Sequence, residues 1–382
     1  GKGAPDASST VERQTEDISY LPLENYPRRE DWPNRKAVFY HWMTPPSSLH
    51  PTNGVETGKL MVFDWIHRRL LYMNLKKLQP APDLAEKLPE VSEDGLRYSF
   101  SIRPQAKWDD GSPITGKDVA FTYKAFICPL VKNPGFKAYL DQVEAVETFE
   151  GQPRRLDILM KSPYIFNDYI HCDIVILQQS LYDPEGVLES YSLEDFRSPD
   201  FMASLTNSKI ESWANAWNEG DLGSKPERIQ GAGPYRLASW TQGSEMVLVR
   251  KKNHWTQNLP SGEDAHLSRP DSIVVRTILD EQALELEIKR QGIDASNYIS
   301  TSLMERLVND SNFVENYHGK FVESFSYSFI SFNTKAGASG RNPALEEPEV
   351  RKALAHLTPV QKIIDVVYQG HGTPMAGPVS PR

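Results

Sequence analysis

Leu84-Ala85-Glu86-Lys87, then Val91 through Arg103, then Lys107-Trp108-Asp109-Asp110-Gly111-Ser112-Pro113-Ile114-Thr115 with Asp118-Val119 behind it, is the stretch on which the fold turns. Leu96, Tyr98, Phe100 and Ile102 alternate with Arg97, Ser99, Ser101 and Arg103, the period of two that gives a strand one buried face. Asp94-Gly95 ahead of that strand and Asp109-Asp110-Gly111 behind it are turn sequences, because Gly tolerates positive φ and Asp bonds its own backbone. Thr115 can cap a helix carrying Val119, Phe121, Tyr123 and Phe126, and Pro129 should end it. The stretch reads as strand, turn and capped helix.

Outward from it, residues 1–36 hold scattered Pro, Ser and mixed charge without a sustained period and read as a linker or disordered lead-in. Ala37–Trp42 suits a first strand, followed by a stiff loop over Thr44–Thr52 that contains Pro45-Pro46. Leu60, Phe63, Ile66, Leu70 and Tyr72 follow helical spacing and predict a helix over Lys59–Leu75. Further on, Tyr235–Leu237 and Met246–Val249 read as strands paired around Gln242-Gly243, and Ile273–Ile278 as another strand. Glu281–Arg290 reads as an amphipathic helix ended by Gly292. Phe325, Tyr327 and Phe329 alternate with serines and predict a strand, and Pro348–Gly370 predicts a helix that Pro359 kinks or splits. Strands and helices do not alternate strictly and no internal repeat is present, so the fold class is mixed α/β or α+β with several domains.

Length agrees, since 382 residues at roughly 150 per domain give two or three domains. The formal charge of −9 gives no reason to expect nucleic acid or an anionic membrane as partner. No stretch approaches the ~20 apolar residues of a membrane-spanning helix. Cys128 and Cys172 cannot make a disulfide framework; one bridge or two isolated buried thiols remain.

Catalytic candidates are thin. Asp109 with Asp110, or Glu86 with Glu90, could serve as paired carboxylates of a hydrolase, but a turn and a solvated face explain them better. His41, His50 and His67 form no metal-binding spacing, and Gly231-Ala232-Gly233-Pro234 is no dinucleotide loop because Pro234 removes an amide donor. Tyr40, Trp42, Tyr139, Tyr327 and Phe329 could line a recognition cleft or pack a core.

Three blocks in order carry a resemblance. The opening stretch is the first; Gly231-Ala232-Gly233-Pro234-Tyr235-Arg236-Leu237 with Trp240, Arg250, Asn253 and Trp255 is the second. Phe332-Asn333-Thr334, Val350-Arg351-Lys352-Ala353-Leu354 and Gly372-Thr373-Pro374 make the third. Together they resemble the family 5 extracellular solute-binding proteins, which include the oligopeptide and dipeptide receptors of ABC importers. The resemblance implies a periplasmic-binding-protein-like, bilobal clamshell with domain I split over 37–69 and 161–322, an inserted domain II over 70–160, and the start of domain III over 323–382. Family members continue well beyond this point, so the resemblance implies that the third domain is incomplete and that the acidic residue anchoring a peptide's amino terminus lies in the absent part.

What the resemblance implies about function is a non-enzymatic receptor, without cofactor or metal, that binds a peptide between its lobes and delivers it to an ABC permease. It would work at the periplasmic or extracellular face of the cytoplasmic membrane, attached only through an N-terminal lipid anchor that this sequence does not include. The implied ligand positions are Thr44, Pro45, Pro46 and Ser47 after the first strand, ahead of Ser48-Leu49-His50-Pro51 where the family usually has Ser-Leu-Asp-Pro. Tyr139, then Asn297 and Tyr298 after Gly292-Ile293-Asp294, and Phe329 complete the set. Pro45 and Pro46 have no N–H, so this edge can only accept. An oligosaccharide or a metal chelate is the alternative ligand within the fold; a hydrolase or a sensor that presents ligand to a membrane receptor are alternatives of another class.

Overall fold

A computed structural model describes residues 37–42, 45–53, 56–74, 77–133, 135–205, 208–259, 270–296, 298–319, 321, 327–334, 342–375 and 377. The expected lead-in over 1–36 lies outside them. The described residues form two compact units, one over Pro45–Gln242 and Met246–Val274, the other over Phe39–Thr44, Gly243–Glu245 and residues from Val275 onward. The class is mixed α/β, as expected. The first strand, β1 (Ala37–Trp42), passes from one unit into the other.

In the first unit, helix Thr57–Ile66 leads into the antiparallel pair β2 (Leu71–Asn74) and β3 (Gln79–Pro82). The helix expected to reach Leu75 therefore stops at Ile66. His67 turns extended, and the Leu70 carbonyl accepts the N–H groups of Asp83 and Ala85, so the chain after it joins a β structure instead. The apolar residues Leu70 and Leu71 are buried next to each other, a pattern that helical spacing cannot distinguish from a buried strand.

The stretch quoted first contributes to an antiparallel sheet, ordered β4-β5-β7-β6, of β4 (Glu90–Val91), β5 (Arg97–Ser101), β6 (Val143–Phe149) and β7 (Gln152–Met160). Tyr98 and Phe100 face inward, as their alternation requires. Helix Gly116–Ile127 packs on β6 and β7. Asp118 Oδ2 accepts the Thr115 N–H at 2.8 Å to close its first turn, and the helix stops two residues before Pro129. Gly95 and Gly111 hold the two turns at φ +71° and +84°. Cys128 and Cys172 are both buried and free.

The hairpin of β8 (Tyr235–Thr241) and β9 (Glu245–Arg250) turns at Gly243, and the first half of β10 (Ser272–Thr277) lies on the other side of β9. In the second unit, the other half of β10 neighbours β1, which pairs in parallel with β11 (Ala295–Ser296): Tyr40 opposes Ala295 and His41 opposes Ser296. Helices Glu281–Lys289, Thr301–Leu307 and Ser311–Asn316 enclose Leu284, Ile288, Leu303, Met304, Leu307 and Phe313. The first of these ends with Gln291, not Gly292, in the left-handed region.

The expected strand over Phe325–Phe329 is not found in its described part. Phe325 lies outside the described residues, whereas Tyr327–Ile330 has no regular structure and Phe329 is 71% exposed. Alternation makes a strand only where a ladder and a face to bury exist. The last helix is split by Pro359 into Pro348–Leu357 and Val360–Val367.

Candidate functional site

The glycines of the second block are explained by how closely the chain approaches them. Gly233 N–H donates to the Ile66 carbonyl at 2.7 Å. A β-carbon on Gly231 would stand 2.3 Å from His67 Nδ1 and 2.5 Å from the Ile66 oxygen, and one on Gly233 would stand 2.4 Å from the Trp65 oxygen. Neither position has room for a side chain. The Ala232 carbonyl accepts from His254 Nε2 (2.9 Å) and Trp255 Nε1 (3.2 Å). Lys251 Nζ donates to the Gly231 carbonyl (2.6 Å) and pairs with Asp109 (2.8 Å), which ties the second block to the first. Burial lowers the Lys251 pKa, with Asp109 opposing. Asp110 accepts the Ser112 N–H at 2.8 Å and Gln178 Nε2 at 2.7 Å. Both aspartates of the hydrolase reading are thus engaged in holding a turn and a tie.

The loop after β1 is anchored rather than free. Leu49 N–H donates to the Gly223 carbonyl (2.7 Å), His50 Nε2 contacts the Trp217 carbonyl (2.6 Å), and Trp217 Nε1 donates to Thr52 Oγ1 (3.1 Å). Pro46 is buried, Pro45 half-buried and Ser47 exposed. The Ser47 hydroxyl donates to Glu56, and its carbonyl accepts Gln242 Nε2 at 2.9 Å.

Beside this loop the first unit has a narrow crevice with about 10 Å³ of space, room for about one water, whose walls include Lys59, Phe63, Arg69, Phe126, Phe136 and Asp173. Lys59 is buried, donates to the Asn53 carbonyl (2.7 Å) and lies 5.2 Å from the Phe63 ring centre. Burial pulls its ammonium down to about 8, with Glu56 opposing. Tyr139, half-buried, donates to Asp173 Oδ2 at 2.7 Å, and burial followed by that bond raises its phenol pKa.

In the second unit β11 is the last strand in the order β11-β1-β10 among the described residues. His41, wholly buried on β1, contacts Ser296 Oγ through Nδ1 (2.8 Å) and the Ile278 carbonyl through Nε2 (3.0 Å). Ser296 Oγ lies 2.9 Å from the Tyr298 carbonyl, and the Tyr298 ring is 54% exposed.

The family model described as bacterial extracellular solute-binding proteins, family 5 Middle, matches residues 79–382. The chain belongs to this family. Family 5 proteins are extracytoplasmic binding proteins, and no described helix of this member is long and apolar enough to cross a membrane. It is 21% identical over 348 residues to the dipeptide-binding protein DppE of Bacillus subtilis, covering 91% of this chain and 56% of the relative. To the oligopeptide-binding protein OppA of the same organism it is 25% identical over 361 residues, 92% of this chain and 58% of the relative. Among solved structures it shares its fold with the oligopeptide-binding protein from Thermus thermophilus complexed with a pentapeptide, at TM-score 0.70, 18% identity and coverage of 91% of this chain and 59% of that one. NikZ from Campylobacter jejuni, in complex with Ni(L-His), matches at TM-score 0.67 and 20% identity, over 90% and 58% of the two chains. The family 5 chain thus spans somewhat more than half the length of these relatives.

Of the ligand positions that the resemblance implied, Thr44 and Asn297 lie outside the described residues. The loop residues Pro45, Pro46 and Ser47 and the ring of Tyr139 belong to the first unit; Tyr298 and Phe329 belong to the second. Phe329 is not on a strand, which corrects that expectation; its ring lies 5.6 Å from that of Tyr327. Lys59, Asp173 and the His41–Ser296 contact were missed, because a lone cation in a helix or a His on a strand carries no spacing signal. Only tertiary packing marks them.

Proposed function

We propose that this family 5 chain is the ligand-receiving part of a peptide receptor that serves an ABC transporter outside the cytoplasm. The observation that carries the reading is that β11 stands last in its sheet among the described residues and that Tyr298 nearby is exposed, so that an extended peptide can add as a further strand through main-chain hydrogen bonds. The names of its dipeptide- and oligopeptide-binding relatives support the same ligand class. Pro45, Pro46, Ser47 and Tyr139, with Thr44 and Asn297, are the further proposed contacts, together with Phe329. The confinement of the four-stranded sheet and its helix to residues 90–160 supports reading 70–160 as an inserted domain between the parts of a split domain I. The permease would be the receiving partner, and attachment to the membrane through a lipid anchor is part of the proposal.

Isothermal titration of tri- to pentapeptides tests it, with an oligosaccharide and the nickel–histidine complex as comparison ligands. Saturable heat with peptides alone supports the reading. Saturable heat with the sugar or the nickel complex, and none with peptides, overturns it. The nickel–histidine alternative has the NikZ likeness behind it, although among the described residues no group of three or more His, Cys, Asp or Glu is placed to hold a metal ion.

A further inference from the structure

The hydrogens between Ile278 and Tyr298 do not suffice for every contact when His41 is neutral. Both ends of this run of contacts are carbonyls, which only accept. Between them lie His41 Nε2, 3.0 Å from the Ile278 oxygen, His41 Nδ1, 2.8 Å from Ser296 Oγ, and that hydroxyl, 2.9 Å from the Tyr298 oxygen. A neutral imidazole has one N–H and must place it on Nε2 to satisfy Ile278. Its Nδ1 lone pair then takes the single hydroxyl hydrogen of Ser296, and the Tyr298 carbonyl is released. An imidazolium donates from both nitrogens, so Ser296 Oγ accepts from Nδ1 and turns its hydrogen to Tyr298. The Tyr298 N–H, 3.3 Å from the same oxygen, can be accepted in either state.

We propose that His41 is a proton-linked positioning residue for the segment after β11, its charge deciding whether the Ser296 hydroxyl bonds the imidazole or the Tyr298 carbonyl. Burial favours the neutral ring, and the carbonyls of Ile278 and Tyr298 oppose that shift. The ionisable groups on the elements around it are engaged elsewhere or exposed. Asp294 accepts the Phe39 N–H (2.8 Å), Arg276 contacts Glu245 (3.5 Å) and the Gly292 carbonyl (3.3 Å), and Asp280 accepts the Ala283 N–H (2.7 Å). Tyr40 is half-buried, with its phenol pushed up to about 12 by burial, and Tyr298 is exposed. The functional consequence rests on the peptide reading above: a released Tyr298 carbonyl can accept a ligand N–H, so binding is tighter with His41 neutral than with it protonated.

Nuclear magnetic resonance of the whole chain tests the coupling without any ligand. The His41 ring and the carbonyl carbon of Tyr298 are followed from neutral to acid pH in the parent and in Ser296→Ala. The expected result is one shared midpoint in the parent, and in the variant a titrating His41 with a diminished response at Tyr298. A Tyr298 carbonyl that ignores the His41 midpoint in the parent, or follows it equally in the variant, overturns the proposal. His41→Gln, which keeps a donor but cannot titrate, should abolish the response at Tyr298. With a bound peptide, affinity should fall roughly fivefold on His41 protonation, about the size of one net hydrogen bond, and Ser296→Ala should flatten that dependence. If no peptide binds while the coupled titration persists, the peptide reading fails and the switch stands.

Discussion

Two helices that look alike in sequence behave differently in the molecule. Gly116–Ile127 and Pro348–Leu357 each carry an apolar stripe and a favourable first turn, and each falls in a block resembling the same family. The first buries nine of its residues, among them Val119, Phe121 and Phe126, and packs on β6 and β7. The second buries none, and Leu357 is 76% exposed. Periodicity sets which face a helix can bury; a partner decides whether it does, and most helical stability comes from that burial. The helix–sheet layer of the first unit therefore has a core of its own, while the stability of Pro348–Val367 draws little on packing among the described residues.

Phe126→Ala against Leu357→Ala breaks or sharpens the comparison most directly. The buried phenylalanine should cost about 3–5 kcal/mol in urea unfolding and the exposed leucine within about 0.5 kcal/mol; equal losses would refute the contrast. Gly231→Ala comes next, at about 1–3 kcal/mol, because the new β-carbon meets a backbone oxygen that cannot swing away. A variant as stable as the parent would show that the contact with Ile66 can relax.

Acid should weaken the first unit. Burial holds His67 at about 3, reinforced by Lys251, Arg69 and Lys59, and burial alone holds His171 at about 3. Both folded values lie below the unfolded one, near 6.5. Their contribution is complete above pH 6.5 and declines as the pH falls toward 3, since only the unfolded chain takes up the protons. From pH 7.5 to 5.5 each ring should remove about 1.4 kcal/mol, and His171→Phe, set between the rings of Tyr98 and Phe100, should remove about half of the combined slope. An unchanged urea midpoint over that range would contradict the burial of both rings. The smallest effect is expected from Leu357→Ser, which should change stability by no more than about 0.5 kcal/mol while lowering the binding of a hydrophobic dye. A large loss of stability would reveal packing on that helix.

How much was legible follows from what each residue needed. The strand Arg97–Ser101, the turns at Gly95, Gly111 and Gly243, the helix from Gly116 and the break at Pro359 depend on neighbours a few positions away, so the sequence shows them. The end of the helix at Ile66 depended on Asp83 and Ala85 bonding to Leu70, and the fate of Tyr327 and Phe329 on whether a ladder lay beside them. Neither could be read locally. The ligand positions came from resemblance, not from spacing, and His41 and Ser296, which meet in the His41–Ser296–Tyr298 contacts, are 255 positions apart.

By itself, then, the amino-acid sequence determined most of the local elements, the mixed α/β class and the family, because turn chemistry, side-chain alternation and three ordered motif blocks are local or linear properties. Only the tertiary structure decided that Gly231 and Gly233 are required by the approach of Ile66 and His67, and that Asp109 and Asp110 serve the scaffold. It also decided which of two similar helices has a core, and where a buried imidazole meets β11. Those outcomes depend on distances between segments remote in the chain, which composition and spacing do not encode.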